Sequence, residues 1–241
     1  GLRDTPLLYD ELSGEEEAAV MDAIRLTDTE ALKDKSMLDM SRGETRKIFI
    51  ARALASKPEI LLLDELLHEL DPVSREQIVS ITEAAAARGT TVVYTSHRED
   101  ELLPCTVRSA LIERGRLTFD ESVTPAGGYS AKPPHHSLIA EHGAHDAAEL
   151  LSMKSCGVFI DETQVLYDID FSVKRGGHTV IAGKNGAGKS TLLRTVYGWL
   201  SPALGGQITR FGQSGAFPLE TIRPRMGFAS AQLQLLCDPE D

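Results

Sequence analysis

A glycine-rich segment, residues 183–191 with the sequence GKNGAGKST, has the residue types and spacing needed to bind phosphate. The pattern G-x-x-x-x-G-K-S lets backbone N–H groups converge on phosphate oxygens, because glycines permit close approach and unusual dihedral angles. We expect Lys189 to reach the β- and γ-phosphates of a nucleotide and the Ser190 hydroxyl to hold Mg²⁺. The apolar runs 179–182 and 192–197 predict a strand before this segment and a helix after it, whose N-terminus favours an anion.

Two carboxylates follow a second apolar run. Residues 59–65 are typical of a buried parallel strand that ends in the two carboxylates Asp64 and Glu65. Ligands bind at the carboxyl edge of parallel sheets, so we expect Asp64 to hold Mg²⁺ through water and Glu65 to orient or deprotonate an attacking water. The next predicted strand, residues 90–94, leads to His97 at the same edge, which favours a functional role for this histidine.

The remaining pattern predicts the elements that position these side chains. Ser13 begins a capping box before one helix, and Ser41 is placed to cap another helix over residues 45–55. A further helix is predicted over residues 73–88. Further strands are predicted over residues 109–119, 157–160, 164–173, 205–212 and 226–232. The fold class that follows is α/β, with a parallel sheet flanked by helices.

Composition limits the classes of partner. A length of 241 residues is enough for one large α/β domain or two small ones. The net charge of −11 argues against a general binder of nucleic acid or anionic membranes, so we expect no nucleic-acid partner. The three cysteines have no metal or disulfide spacing, and no signal peptide or long apolar span is present. These features predict a cytoplasmic location, with peripheral attachment at the inner face of the membrane if a membrane partner exists.

The pattern weakens between residues 121 and 151. Prolines and glycines in this stretch are typical of loops, so we expect a linker, with a short helix near residues 144–151. It carries the histidines His135, His136, His142 and His145. Because no acidic residue or cysteine lies at a fitting spacing, a metal site there is a weak alternative.

Taken together, these motifs resemble those of ABC-type ATPases. The matching segments are residues 40–44 (signature motif), 60–65 (Walker B), 69–71 (D-loop), 183–191 (Walker A), His97 (switch histidine) and Gln232 (Q-loop glutamine, with Gln234 as a rival). Residues 41–47 are similar to the signature region of soluble proteins that carry two cassettes in tandem. Two departures are Leu66, where a proline is usual, and Ile160, where an aromatic residue that stacks on adenine is usual, with Phe159 beside it.

The resemblance implies ATP and Mg²⁺ as cofactors and suggests a role for each matching residue. Glu65 and His97 would be catalytic, and Mg²⁺ would be served by Ser190, Gln232 and Asp64. The nucleotide would be bound by Gly183, Asn185, Gly186, Gly188, Lys189, Ser190, Thr191, Ser41, Gly43, Glu44 and Asp71. The fold implied is a P-loop NTPase core with an antiparallel β-subdomain and part of a helical subdomain.

The order of the motifs is unusual, because the signature, Walker B and switch histidine precede the Walker A loop. We therefore expect residues 1–120 to be the C-terminal part of one cassette, 121–151 a linker, and 152–241 the N-terminal part of the next. A first residue of Gly1 agrees with a piece of a longer tandem protein. Two arrangements stay open. In the first, two cassettes pack head to tail, and Ser41 and Gly43 face the ATP held by Lys189. Alternatively, the halves pack as one circularly permuted cassette, with strand 60–64 beside strand 179–183, which burial of core strands favours.

Three functions are compatible with this resemblance. The first is ATP binding and Mg²⁺-dependent hydrolysis, in which closure of head-to-tail cassettes drives mechanical or transport work. Its partner is a second ABC cassette, either within a longer chain or in a dimer. The alternative is the ATP-binding subunit of a membrane importer, with a permease subunit as partner and molybdate or another small anion or metal as cargo. The third is a binding module without catalysis.

Overall fold

The structure is a computed structural model that describes residues 12–98, 101–120, 147–214 and 219–231. Its helices are α1 (Gly14–Thr27), α2 (Arg42–Leu54), α3 (Pro72–Ala87), α4 (Lys189–Tyr197) and α5 (Leu219–Ile222), with short 3-10 helices at Glu30–Leu32, Met37–Asp39 and Arg223–Arg225. Its strands are β1 (Ile60–Asp64), β2 (Thr91–Ser96), β3 (Arg108–Glu113), β4 (Arg116–Asp120), β5 (Glu149–Ile160), β6 (Thr163–Lys174), β7 (Thr179–Ala182), β8 (Gln207–Arg210), β9 (Gln213–Ser214) and β10 (Met226–Ser230).

A six-stranded sheet forms the centre of the molecule, in the order β10-β1-β2-β7-β3-β4. The first five strands are parallel, and β4 is antiparallel to β3 at the edge. Every residue of β1, β2 and β10 is buried, as expected for parallel strands covered on both faces. Helix α2 packs on β10, α3 on β2 and α4 on β1. The predicted parallel sheet flanked by helices is confirmed.

The two halves of the chain contribute strands to this one sheet, but the expected neighbours are wrong. Strand β1 was expected beside β7, whereas β2 lies between them, paired with β1 on one side and β7 on the other. The reason is the connection through α3. A strand–helix–strand crossover usually returns the chain to the adjacent position, so β2 occupies the place next to β1.

A second sheet of four strands, in the order β6-β5-β8-β9, forms the antiparallel β-subdomain. Its main part is the long hairpin of β5 and β6. The helix predicted near residues 144–151 is wrong for Glu149 to Leu151, which belong to β5 and pair with β6 and β8. Leu150, Leu151 and Met153 are buried, and this burial against neighbouring strands overrides the helical pattern.

The helices begin where the sequence places their caps. Ser13 and Glu16 form a complete capping box at α1, and Ser41 and Glu44 form another at α2. Helix α2 therefore starts at Arg42, three residues before the predicted start, because the cap at Ser41 sets its first turn. Within the described ranges, no helix has the length and apolar composition needed to cross a bilayer.

Candidate functional site

Several predicted site residues come to one edge of the central sheet. In the register of the sheet, Asp64 at the end of β1 is paired with Ser230 at the end of β10, and Ser96 at the end of β2 is paired with Ala182 at the end of β7. Gly183 and His97 follow directly in the sequence. The carboxyl edge of the parallel strands is therefore the place where the phosphate-loop segment 183–191 meets the strand-end carboxylates.

Asp64 lies buried at this edge and accepts two hydrogen bonds on one oxygen. The Ser190 hydroxyl donates to its Oδ1 over 3.0 Å, and the Thr95 hydroxyl donates to the same oxygen over 2.9 Å. Burial raises the pKa of Asp64, and the hydrogen bonds from Thr95 and Ser190 oppose that rise. A hydroxyl and a carboxylate side by side are oxygen ligands of the kind that Mg²⁺ prefers, so this pair fits the metal.

Glu65 is the second carboxylate and lies beside the lysine of the phosphate loop. Lys189 Nζ lies 3.0 Å from Glu65 Oε1. The Lys189 side chain is 3% exposed and the Glu65 side chain 28%, so the carboxylate is the partner that solvent reaches. Glu65 has a φ of 51°, unusual for a residue with a side chain, and its N–H donates to Thr95 Oγ1 over 2.9 Å. Thr95 thus connects the Asp64 carboxylate to the backbone of Glu65.

The loop itself is held by its own lysine. Lys189 Nζ donates to the carbonyl oxygens of Gly183 at 2.9 Å and Lys184 at 3.2 Å. Gly183 has a φ of 155°, and a Cβ there would lie 2.4 Å from the Ile112 carbonyl oxygen, so only glycine fits. Asn185 and Gly186 are exposed, whereas Gly188 and Thr191 are buried at the start of α4. The exposed part of the loop therefore has room for phosphate oxygens.

A cleft of about 340 Å³ opens at this edge. It is lined by Arg42, Thr45, Arg46, Phe49, Asp64, Glu65, His68, Glu69, Ser190, Ser230 and Ala231. Asp64 and Ser190, which are predicted to hold Mg²⁺, thus share one concave space with Glu65, the predicted base. The contributions of Thr95 and His68 were not predicted, because no spacing or motif in the sequence marks them. Arg46 lies within the signature-like residues 41–47, but its place in the cleft was not predicted.

His97 is not among the residues that line this cleft. Its ring packs edge to face on His68, with 4.7 Å between ring centroids, and His68 does line the cleft. The Nδ1 atom of His97 is buried and has no hydrogen-bond partner in the part of the chain that the structure describes. The catalytic role of His97 stays a prediction, and His68 is its nearest aromatic neighbour at the site.

The predicted nucleotide-binding residues of the signature motif and D-loop have structural roles on helices α2 and α3. Ser41 and Glu44 hold each other in the α2 capping box, and Lys35 adds an ion pair at 2.9 Å. These contacts, first the Ser41 N–H and then Lys35, lower the pKa of Glu44 to about 2. Asp71 caps α3 by accepting from two backbone N–H groups at 3.0 Å, and hydrogen bonds from Ser74 lower its pKa.

Gly43 lies where α2 and α3 meet, and a Cβ there would lie 2.3 Å from Ser74 Oγ. None of Ser41, Gly43, Glu44 and Asp71 lines the cleft. Their roles toward nucleotide stay predictions. Gln232 and its rival Gln234 lie outside the described residues, as do the four histidines of the predicted linker.

The two departures from the ABC pattern have different surroundings. Leu66, where proline is usual, is buried and packs in the hydrophobic core. Phe159 and Ile160 are 47% and 40% exposed at the end of β5.

The fold is that of a P-loop NTPase, with the phosphate loop and the strand-end carboxylates at one sheet edge. The sequence profile of the ABC transporter family matches residues 4–68 and 166–237. The chain belongs to the ABC transporter family, which confirms the resemblance seen in the sequence.

Individual relatives agree with this assignment. ABC transporter ATP-binding protein ModF of Escherichia coli K12 is 29% identical over 222 residues, covering 85% of this chain and 45% of ModF. Methionine import ATP-binding protein MetN 1 of Burkholderia ambifaria is 27% identical over 227 residues, covering 83% of this chain and 62% of MetN 1. The chain thus spans less than two thirds of the length of each of these relatives.

Proposed function

We propose that this chain binds ATP with Mg²⁺ at residues 183–191 and hydrolyses it with Glu65 as the general base. The observation that carries this proposal is the pairing across the cleft. Lys189 lies 3.0 Å from Glu65, and Ser190 lies 3.0 Å from Asp64. Phosphate-binding and water-activating groups would thus come together from two distant segments of the chain.

Nucleotide binding would exchange the partners of Lys189. Its amine now contacts the Glu65 carboxylate and the carbonyls of Gly183 and Lys184. Phosphate oxygens carry more charge than a carbonyl, so a bound triphosphate would draw the amine toward itself. The Glu65 carboxylate would then be free to accept a proton from an attacking water.

The metal would be held by Asp64 and the Ser190 hydroxyl. Bound Mg²⁺ supplies positive charge that offsets the negative charge developing on the phosphates. Thr95 would keep the Asp64 carboxylate in place, since its hydroxyl already donates to Oδ1 over 2.9 Å. A buried carboxylate in this position supports a cation site, because burial without a counter-charge is unfavourable.

A second cassette would complete the function. Ser41 and Asp71 are exposed and do not line the cleft, so they, with Gly43 beside them on α2, would face another ATP across a head-to-tail interface. Because the ranges 1–120 and 152–241 contribute strands to one sheet, they would act together as one cassette joined by the linker 121–151, and the second cassette would come from a longer chain or from a dimer. Closure of such a pair would drive mechanical or transport work, in the cytoplasm or at the membrane surface.

The alternative is an importer subunit that works with a membrane permease. It is favoured by the name of the relative MetN 1, which describes methionine import. Purification from the native membrane discriminates between the two. Recovery of the protein with an integral membrane partner would support the importer, and recovery without one would support the first proposal. The cargo is not assigned by the site.

The direct test is Mg²⁺-ATP binding and phosphate release by the wild type and by Lys189→Ala, with Lys33→Ala as the control because Lys33 is an exposed lysine that does not line the cleft. We expect Lys189→Ala to lose ATP binding and the control to keep it. Equal ATP binding by wild type and Lys189→Ala would contradict the proposed site.

A further inference from the structure

A buried arginine in the cleft has an unused hydrogen-bond donor. Arg46, on α2, is 8% exposed, yet its Nη1 has no hydrogen-bond partner among the residues described. A guanidinium keeps its charge in proteins, so burying it without a full set of partners is unfavourable. Burial lowers the pKa of Arg46, and the charge of nearby Arg42 acts in the same direction. Such a group calls for an explanation in terms of a ligand.

The cleft offers Arg46 little counter-charge of its own. Each of the three carboxylates that line it has another partner in the structure. These pairs are Asp64 with Ser190, Glu65 with Lys189, and Glu69 with Arg42 at 2.7 Å. The charge of Glu69 raises the pKa of Arg46, but by less than burial lowers it. An anion entering the cleft would therefore find a desolvated, partly unpaired cation.

We propose that Arg46 binds the terminal phosphate group of the nucleotide held by Lys189. This inference rests on the proposed ATP-binding function. Arg46 lines the same cleft as Ser190 of the phosphate loop and the base Glu65, which is where the last phosphate of a triphosphate would lie. The planar fork of a guanidinium matches two phosphate oxygens at once. Free phosphate released by hydrolysis presents the same chemistry.

The consequence is selectivity for ATP over ADP. ADP lacks the group that Arg46 would contact, so its affinity should not depend on this side chain. A charged hydrogen bond to phosphate is worth roughly tenfold or more in affinity. Arg46→Gln should weaken triphosphate binding by about that factor and leave ADP within about twofold. Arg46→Lys keeps the charge without the fork, so an intermediate loss is expected.

The experiment is calorimetric titration of the full chain, with Mg²⁺, by a non-hydrolysable ATP analogue, by ADP and by inorganic phosphate. The proteins are the wild type, Arg46→Gln, Arg46→Lys, Lys189→Ala and the control Arg52→Gln, which changes an arginine on the same helix outside the cleft lining. Melting temperatures without ligand are measured in parallel. Because Arg46→Gln removes a buried charge, its melting temperature should equal or exceed that of the wild type.

The outcomes separate this inference from the function on which it rests. If Arg46→Gln weakens binding of the ATP analogue and leaves ADP binding unchanged, the contact with the terminal phosphate is supported. Weaker phosphate binding with unchanged analogue affinity would overturn that contact and make released phosphate the ligand. If Arg46→Gln loses equal affinity for the analogue and for ADP and also has a lower melting temperature, Arg46 has a structural role and the inference is overturned. Analogue binding lost in Lys189→Ala but intact in Arg46→Gln would keep the proposed function and reject Arg46. No nucleotide binding by the wild type would reject both.

Discussion

The Ser190 hydroxyl donates a 3.0 Å hydrogen bond to Asp64, although 126 residues separate the two in the chain. This contact joins the phosphate-loop helix α4 to the end of β1. The central sheet makes it possible, because β1 and β7 end at the same edge with only β2 between them. The loop that we propose binds phosphate and the carboxylate that we propose holds Mg²⁺ are thereby brought into one site.

Replacing the proposed base separates ATP binding from hydrolysis. Glu65→Gln keeps the shape of the side chain but removes its basicity, so we expect phosphate release to fall by about 10²–10⁴-fold. ATP binding should persist, because the neutral amide of the variant no longer holds the Lys189 amine by charge. Single-turnover phosphate release and nucleotide titration measure the two effects.

The matched control for the base is Glu76→Gln, since Glu76 is exposed on α3 and does not line the cleft. It should leave both quantities unchanged. If Glu65→Gln hydrolyses ATP at the wild-type rate, Glu65 is not the base. Hydrolysis would then depend on another group, whereas ATP binding with no phosphate release by the wild type would favour a binding module without catalysis.

Thr95 should stabilise the fold because it connects the Asp64 carboxylate to the backbone of Glu65. Its hydroxyl donates to Asp64 and accepts from the N–H of Glu65, both at 2.9 Å. Thr95→Val keeps the shape but leaves the Glu65 N–H and an Asp64 oxygen short of a partner. We expect the free energy of unfolding to fall by about 1–3 kcal/mol in denaturant titrations.

Thr118→Val serves as the control for Thr95, because Thr118 is an exposed threonine on β4 whose hydroxyl makes only a 3.4 Å contact. Its effect should stay within about 0.5 kcal/mol. Equal effects of the two substitutions would show that the Thr95 hydroxyl has no special role.

Much of this site could be predicted from local sequence. The glycine spacing before Lys189 predicts phosphate binding, and the acids Asp64 and Glu65 after an apolar run predict a metal and catalytic site. Parallel strands bring these two short segments to one edge of the sheet. The caps at Ser41 and Asp71 are also local, because a side chain bonds to a backbone N–H two or three residues away.

The rest depends on contacts between distant parts of the chain. The position of β2 between β1 and β7 depends on how the crossovers pack. The role of Thr95 exists only because β2 ends beside β1, and the unpaired donor of Arg46 exists only because α2 covers that edge. No spacing in one segment reports these contacts.

The turn between β3 and β4 should matter for the phosphate loop. The Gly115 N–H donates to the Ala187 carbonyl of the loop over 3.1 Å, and its φ is 74°. A Cβ there would lie 2.0 Å from the Val165 carbonyl oxygen. Gly115→Ala therefore combines backbone strain with a clash, so unfolding free energy should fall by more than about 2 kcal/mol and ATP affinity should weaken.

Gly176 offers a matched control for Gly115. Its φ of 72° is nearly the same, but a Cβ there would meet nothing within 4 Å. Gly176→Ala should cost only the strain, about 1–2 kcal/mol, and leave ATP affinity unchanged. Equal losses at both positions would mean that the contact with Val165 and the loop contributes nothing.

The signature-motif cap predicts a pH dependence of stability. The Ser41 N–H and Lys35 lower the pKa of Glu44 from 4.5 to about 2, so the folded state favours the charged carboxylate. A depressed pKa contributes stability that is present above pH 4.5 and is lost as the pH falls toward 2. Glu44→Gln cannot titrate, so the difference in unfolding free energy between wild type and variant should be largest above pH 4.5 and shrink in acid. Added salt should reduce only the part due to Lys35, since screening acts on the exposed ion pair. A difference that grows as the pH falls would contradict this role of Glu44.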